Sequence, residues 1–122
     1  MKREIVTGAA KLGPYSVAVE NNGVLYISGQ LGVTQSGEFA GPSSAEQARQ
    51  SMENLKSILT AAGYTLDEVL KSLIFVTDLA DFTAVNEVYA SFFSGTYPAR
   101  SCVQVAALPK GAKVEIEMIA AH

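Results

Sequence analysis

The sequence predicts one α+β domain, and three observations carry that reading. Asn21-Asn22-Gly23 separates two strand-like runs, Tyr15–Glu20 and Val24–Ser28. Asn-Gly is a strong hairpin signal because both residues tolerate positive φ. Two amphipathic helical patterns follow, separated by Val69–Thr77. That segment is nearly continuous in apolar, β-branched and aromatic residues, which suits a strand covered on both faces. The predicted order is β, β-hairpin, α, β, α, β, β, in a chain of 122 residues, the usual size for a single domain (1–122).

Lys2–Thr7 reads as a short first strand, and Gly8–Pro14 as a loop punctuated by Gly13-Pro14. After the hairpin, residues 29–43 read as a long loop marked by Gly29, Gly32, Gly37, Gly41 and Pro42. Loops of that length inside a small domain are often functional. The first helix is predicted to start at Ser44 as N-cap, with Gln47 closing a capping box. Ala45, Ala48, Met52, Leu55, Leu59 and Ala62 repeat at spacings of three and four, and Gly63 ends the helix. Thr65-Leu66-Asp67-Glu68 reads as a second capping box on one helical turn. Asp81 is predicted to cap the second helix, with Phe82, Val85, Tyr89 and Phe92 on its inner stripe and Gly95 as its stop.

Pro98 then leads into a strand with Arg100, Cys102 and Gln104 on one face and Ser101, Val103 and Val105 on the other. The final strand, 113–120, alternates Val114, Ile116 and Met118 with Glu115 and Glu117. Glu115 and Glu117 are read as facing the same way as Arg100. A guanidinium held on a strand is a planar fork matched to a carboxylate. On the residues alone, a structural Arg–Glu pair or a solvated rim is the more ordinary account of them.

Hydrophobic residues make up 48% of the chain and charged residues 17%, so the surface is lightly charged. Two helices cover one sheet face only, which predicts self-association through the other. The net charge of −3 and the lack of a basic run give nucleic-acid or anionic-membrane binding no electrostatic support. Cys102 is the only cysteine, so no intrachain disulfide forms, and a reducing compartment fits. No signal-like or membrane-spanning stretch is present, so the expected location is cytoplasmic.

His122 is the only histidine and the last residue. That excludes a Ser/His/Asp triad and a histidine metal site within the fold. Cys102 has no histidine partner and reads as a small core residue. No GxGxxG or GxxxxGK[ST] loop occurs. What remains is Arg, Glu, Tyr, Ser and backbone groups. These suit a substrate that is already reactive, for which positioning and one base suffice.

Six segments occur together: Gly13-Pro14-Tyr15-Ser16, Ser28-Gly29-Gln30, Phe75-Val76-Thr77-Asp78-Leu79, Pro98-Ala99-Arg100-Ser101-Cys102-Val103, Leu108-Pro109-Lys110 and Val114-Glu115-Ile116-Glu117. In this order, over residues 4–121, they closely resemble the RidA subgroup of the Rid family of reactive-intermediate imine/enamine deaminases. The resemblance implies a Bacillus chorismate mutase-like α+β fold with a mixed six-stranded sheet, two helices on one face, and assembly as a homotrimer. It implies that another strand lies between the last two, and that three clefts sit at subunit interfaces. The implied reaction is hydrolysis of 2-imino acids or enamines, such as 2-iminobutanoate and 2-iminopropanoate, to 2-oxo acids and ammonia, with no metal and no cofactor.

Position by position, the resemblance makes Arg100 a clamp on the substrate carboxylate and Glu115 the group that activates water. Tyr15, Ser28 and Gly29 would line the pocket. Cys102 would offer backbone contacts near the imine nitrogen, and Asn86 would arrive from a neighbouring subunit. Val17 and Gln104 depart from the glutamine and glutamate of many members, which leaves substrate preference open. Two other functions stay in view: a trimer that binds 2-oxo acids without turnover, and a chaperone-like or RNA-cleaving protein.

Overall fold

Asn22 and Gly23 hold positive φ, 52° and 76°, and form the two-residue loop of the expected hairpin. The computed structural model describes residues 1–8 and 11–122. Its strands are β1 (Arg3–Ile5), β2 (Ala18–Asn21), β3 (Val24–Leu31), β4 (Val69–Val76), β5 (Ala99–Gln104) and β6 (Val114–Ala121). Its helices are α1 (Ser44–Ala62) and α2 (Phe82–Ala90). The strands make one mixed sheet in the order β1-β2-β3-β6-β4-β5. β4 pairs parallel with β5 and antiparallel with β6, so β4 lies between the last two strands. Part of the expected Gly8–Pro14 loop, residues 9 and 10, lies outside the described residues.

Both helices pack on one face of the sheet. Met52 and Leu55 of α1 are completely buried, as are Ile74 of β4 and Ile116 of β6. Burying each such side chain stabilises by about 1.5–3 kcal/mol. The expected α1 stripe is buried except for Ala45, which is partly covered, and Ile58 joins it. The opposite face carries Glu115, Glu117 and Ile119 from β6 and Leu73 and Phe75 from β4, all half-buried. Tyr26 and Val103 are exposed. β4 is therefore covered by helices on one face only, not on both as its apolar run predicts. Among the described residues, no helix is long and apolar enough to cross a membrane.

Several element boundaries differ from expectation. The α1 cap is Ser43, not Ser44. Glu46 reaches back to the Ser43 backbone N–H (3.2 Å), and Ser43 Oγ accepts from Glu46 N–H (3.1 Å). Gln47 instead ties two other segments to α1. Its Oε1 accepts from Lys113 N–H (2.8 Å), and its Nε2 donates to the Gly41 carbonyl (3.2 Å). The Asp81 side chain makes no cap. Asp78 accepts from Ala80 N–H (2.9 Å) and starts a 3₁₀ turn, Leu79–Asp81, that runs straight into α2. α2 ends at Ala90, before Phe92 and Gly95.

β2 starts at Ala18, three residues after Tyr15. β3 continues to Leu31 through an irregularity between Ile27 and Gln30, so Ser28-Gly29-Gln30 lies inside the strand rather than ending it. The expected caps at Gly63 (φ 84°) and Thr65–Glu68 are present. Val17 is buried in the core, and Gln104 Oε1 accepts from Leu79 N–H (2.9 Å).

The shifted cap predicts an asymmetry between two adjacent serines. Ser43→Ala is expected to lower stability by about 1 kcal/mol. Ser44→Ala is expected to cost less than half of that, with urea unfolding midpoints as the measurement.

Candidate active site

Glu115 projects from the face of β6 that the helices leave open. Its carboxyl lies against Gly29 of β3, the strand beside it. A Cβ built on Gly29 would sit 2.7 Å from Glu115 Cδ, so only glycine leaves the carboxylate its place. The irregularity in β3 at this point brings the Gly29 backbone against that carboxylate. Ser28 Oγ donates to the Ser16 carbonyl (2.7 Å), which fixes the chain leading out of the Tyr15 turn. The Tyr15 hydroxyl accepts from Leu12 N–H (3.2 Å). A cavity of about 440 Å³ collects Tyr15, Ser28, Gly29, Leu31, Lys110 and Glu115 on its walls.

Burial pushes the Glu115 carboxyl above its ordinary pKa, and the neighbouring Glu117 charge adds to the effect. A proton acceptor in the cavity is thereby made more basic than a solvated carboxylate.

Arg100 sits elsewhere. Its ladder partner on β4 is Ser72, which is fully buried beneath the helices. The half-buried guanidinium turns to that same face. Arg100 Nη1 donates to Asn86 Oδ1 of α2 (2.5 Å), and Arg100 Cζ lies 5.5 Å from the Phe82 ring centroid and 5.3 Å from that of Tyr89. Among the described residues, the ion pairs are Arg3–Glu20, Lys11–Glu4 and His122–Glu68, so Arg100 has no carboxylate partner there. The structural Arg–Glu pair is thus not formed among the described residues. Cys102, two residues on, shares the Arg100 face. Burial raises its thiol pKa, partly offset by the Arg100 charge. A thiol held protonated is a weak nucleophile.

One expectation needs correction. Glu115 and Arg100 do not face the same way: the alternation of β6 and β5 sends them to opposite faces of the sheet. Asn86, expected to arrive from a neighbouring subunit, is bonded to Arg100 within the same chain and lies apart from the Glu115 cavity. The structure therefore forms two groups. One holds Tyr15, Ser28, Gly29 and Glu115; the other holds Asn86, Arg100 and Cys102. Phe82 and Tyr89 belong with the second group, although the sequence marks them only as packing residues. The spacing 82, 86, 89, one helix face in steps of four and three, was the available signal. Val17 and Gln104 are not on the cavity wall. No group of three or more His, Cys, Asp or Glu among the described residues could hold a metal ion.

The fold is an α+β domain with one mixed six-stranded sheet and two helices on one of its faces, and the expected site residues fall into two groups on opposite faces of that sheet. A sequence model described as Endoribonuclease L-PSP matches residues 7–122. The Mus musculus protein named 2-iminobutanoate/2-iminopropanoate deaminase is 46% identical over 112 residues, spanning 91% of this chain and 83% of that protein. The Escherichia coli protein named putative reactive intermediate deaminase TdcF is 47% identical, spanning 98% and 97%. The solved structure of RidA from Psychrobacter superposes with a TM-score of 0.95 at 46% identity, covering 98% of this chain and 99% of that one. Escherichia coli TdcF with bound serine gives 0.93 at 44%, covering 98% of each. The chain belongs to the Rid family.

The raised Glu115 pKa has a thermodynamic consequence. A carboxyl whose folded pKa lies above its unfolded value loses stability as pH rises between the two, and the loss persists at neutral pH. Glu115→Gln removes that cost, and Glu117→Gln relieves part of it. Both variants are expected to melt above the parent at pH 7 and with it at about pH 3, where carboxylates are protonated. Differential scanning calorimetry reads this.

Proposed function

We propose that this protein hydrolyses reactive 2-imino acids, or their enamine tautomers, to 2-oxo acids and ammonia without a cofactor. The single observation behind this reading is the half-buried Arg100 guanidinium, held by Asn86 and two rings and lacking a carboxylate partner among the described residues. Such a group is a receptor for a ligand carboxylate. The family supports the choice of ligand. The mouse relative is named for 2-iminobutanoate and 2-iminopropanoate, and the TdcF structure holds bound serine, itself a small α-amino acid.

In the proposed reaction, Arg100 takes the substrate carboxylate and Glu115 accepts a proton from water. The oxygen of that water adds to the imine carbon, and the C=N electron pair moves to nitrogen, which is protonated. The resulting carbinolamine collapses to the 2-oxo acid: its O–H electron pair forms the C=O bond, that proton passes by way of Glu115 to the nitrogen, the C–N bond breaks and ammonia leaves. Water supplies the oxygen, so the step needs no oxidant or reductant. Tyr15, Ser28 and Gly29 wall the cavity, and the backbone of Cys102 faces the nitrogen.

Because Arg100 and Glu115 leave opposite faces of the sheet, we propose that each site is shared. The Arg100 group of one copy meets the Glu115 group of the next, in a chorismate mutase-like homotrimer with three clefts. A head-to-tail contact of this kind closes into a ring of three when the rotation between copies is threefold. The apolar residues on the uncovered face, Tyr26 and Val103 among them, suit burial in such an assembly. The free thiol fits a reducing cytoplasm. RNA is disfavoured as substrate by the net charge of −3 and the lack of a basic run.

The test is release of 2-oxo acid from imine generated freshly by a serine/threonine dehydratase, compared with spontaneous hydrolysis. The parent is expected to exceed the spontaneous rate. Arg100→Ala is expected to lose at least about a hundredfold in kcat/KM, the weight of two charged hydrogen bonds. Glu115→Gln is expected to lose about 10²–10⁴ in kcat. Parent turnover at the spontaneous rate, with 2-oxo acid still bound, would assign the protein to binding without catalysis.

A further inference from the structure

The arginine that receives the carboxylate is itself held by groups with no role in the proposed chemistry. Phe82, Asn86 and Tyr89 lie on one face of α2 and converge on the guanidinium. Tyr89 is buried, and its hydroxyl donates to Ser72 Oγ (2.9 Å). Ser72 is the ladder partner of Arg100. Backbone pairing from Arg100 to Ser72, a hydroxyl bond from Ser72 to Tyr89, and ring contact from Tyr89 to Arg100 therefore form a closed circuit. Phe93 backs the Tyr89 ring at 4.9 Å, and Tyr97 meets Phe93 edge-on at 6.1 Å.

A long unbranched side chain otherwise searches many rotamers, and ordering it on binding weakens affinity. Here that ordering is done in advance. Asn86 occupies one of the guanidinium N–H donors, and the rings cover apolar sides of the group without accepting a conventional hydrogen bond. The remaining donors are left for an incoming carboxylate.

We propose that Phe82, Tyr89 and Ser72 are positioning residues that hold the Arg100 fork in its carboxylate-binding pose. They set affinity for the carboxylate rather than the rate of the chemical step. This deepens the deaminase reading and rests on it for the identity of the ligand.

Two measurements are made on each variant: imine hydrolysis, for kcat and KM, and calorimetric binding of 2-oxobutanoate, which needs no turnover. Phe82→Leu is expected to raise KM and the 2-oxobutanoate Kd together by about five- to tenfold, the weight of one partly desolvated cation–π contact. Its kcat should stay within about twofold of the parent. Phe82→Tyr keeps a ring and should restore both constants. Tyr89→Phe keeps its ring but frees it from Ser72, and should raise both by about threefold. Tyr64→Phe is the control for a lost tyrosine hydroxyl bond, since Tyr64 donates to Glu20 (2.6 Å), outside the Arg100 group, and it should move neither constant.

Parent-like KM and Kd in folded Phe82→Leu and Tyr89→Phe would overturn the proposal, as would a selective fall in kcat. A parent that binds 2-oxobutanoate without hydrolysing imines would defeat the deaminase reading alone, because the Kd series still reports on the arginine. A parent that neither hydrolyses imines above the spontaneous rate nor binds 2-oxo acid would overturn both.

Discussion

Strand alternation separates the two groups on which the proposed chemistry depends. Arg100 on β5 and Glu115 on β6 flank the same central strand, β4, opposite Ser72 and Phe75 respectively. Two strand spacings put them roughly 10 Å apart across the sheet, and three residues add about 10 Å along it. Because Ser72 and Phe75 are an odd number of residues apart, the two side chains leave on opposite faces. One faces α2 and the other faces the side without helices. Sliding a strand by one residue would reverse a whole face of the core, so packing enforces this separation. Sharing a site between copies, as proposed here, follows from that constraint rather than from any flexible loop.

Each group is built on rigid elements in its own way. Glu115 stands on a central strand against a glycine whose missing side chain makes its room. Its partial burial makes the carboxyl a better proton acceptor and also costs stability at neutral pH, a familiar tension between folding and function. Arg100 stands on an edge strand, where a long charged side chain is ordinarily mobile. The α2 face supplies the order that the edge position lacks. Gln47 links the two ends of the architecture: it is buried in α1, holds the residue just before β6, and ties down the loop after β3.

Much of this was legible in the sequence. The Asn-Gly hairpin, the α1 stripe with its glycine stop, and the alternation of Val114, Ile116 and Met118 each rest on a local period or turn preference, and each is observed. Boundaries were less legible where two side chains competed for one role. Ser43 and Ser44 each precede an acid or amide by three residues, and the longer-range demand of Lys113 for Gln47 decides between them. The orientation of Arg100 relative to Glu115 was not legible at all. Alternation tells which residues share a face within a strand, but only the pairing of β5 and β6 with β4 fixes the relation between strands. The aromatic hold on Arg100 escaped for a similar reason: Phe82 and Tyr89 look like ordinary core residues until the strand beneath α2 is known.

The central claim, a site whose arginine and glutamate come from different copies, is tested most directly by subunit complementation. Arg100→Ala and Glu115→Gln chains, each inactive alone, are unfolded, mixed and refolded together, and 2-oxo acid release is measured. A shared site predicts recovered turnover, because some interfaces then join the intact Arg100 of one chain to the intact Glu115 of another. A mixture that assembles yet stays as inactive as either variant alone would contradict it.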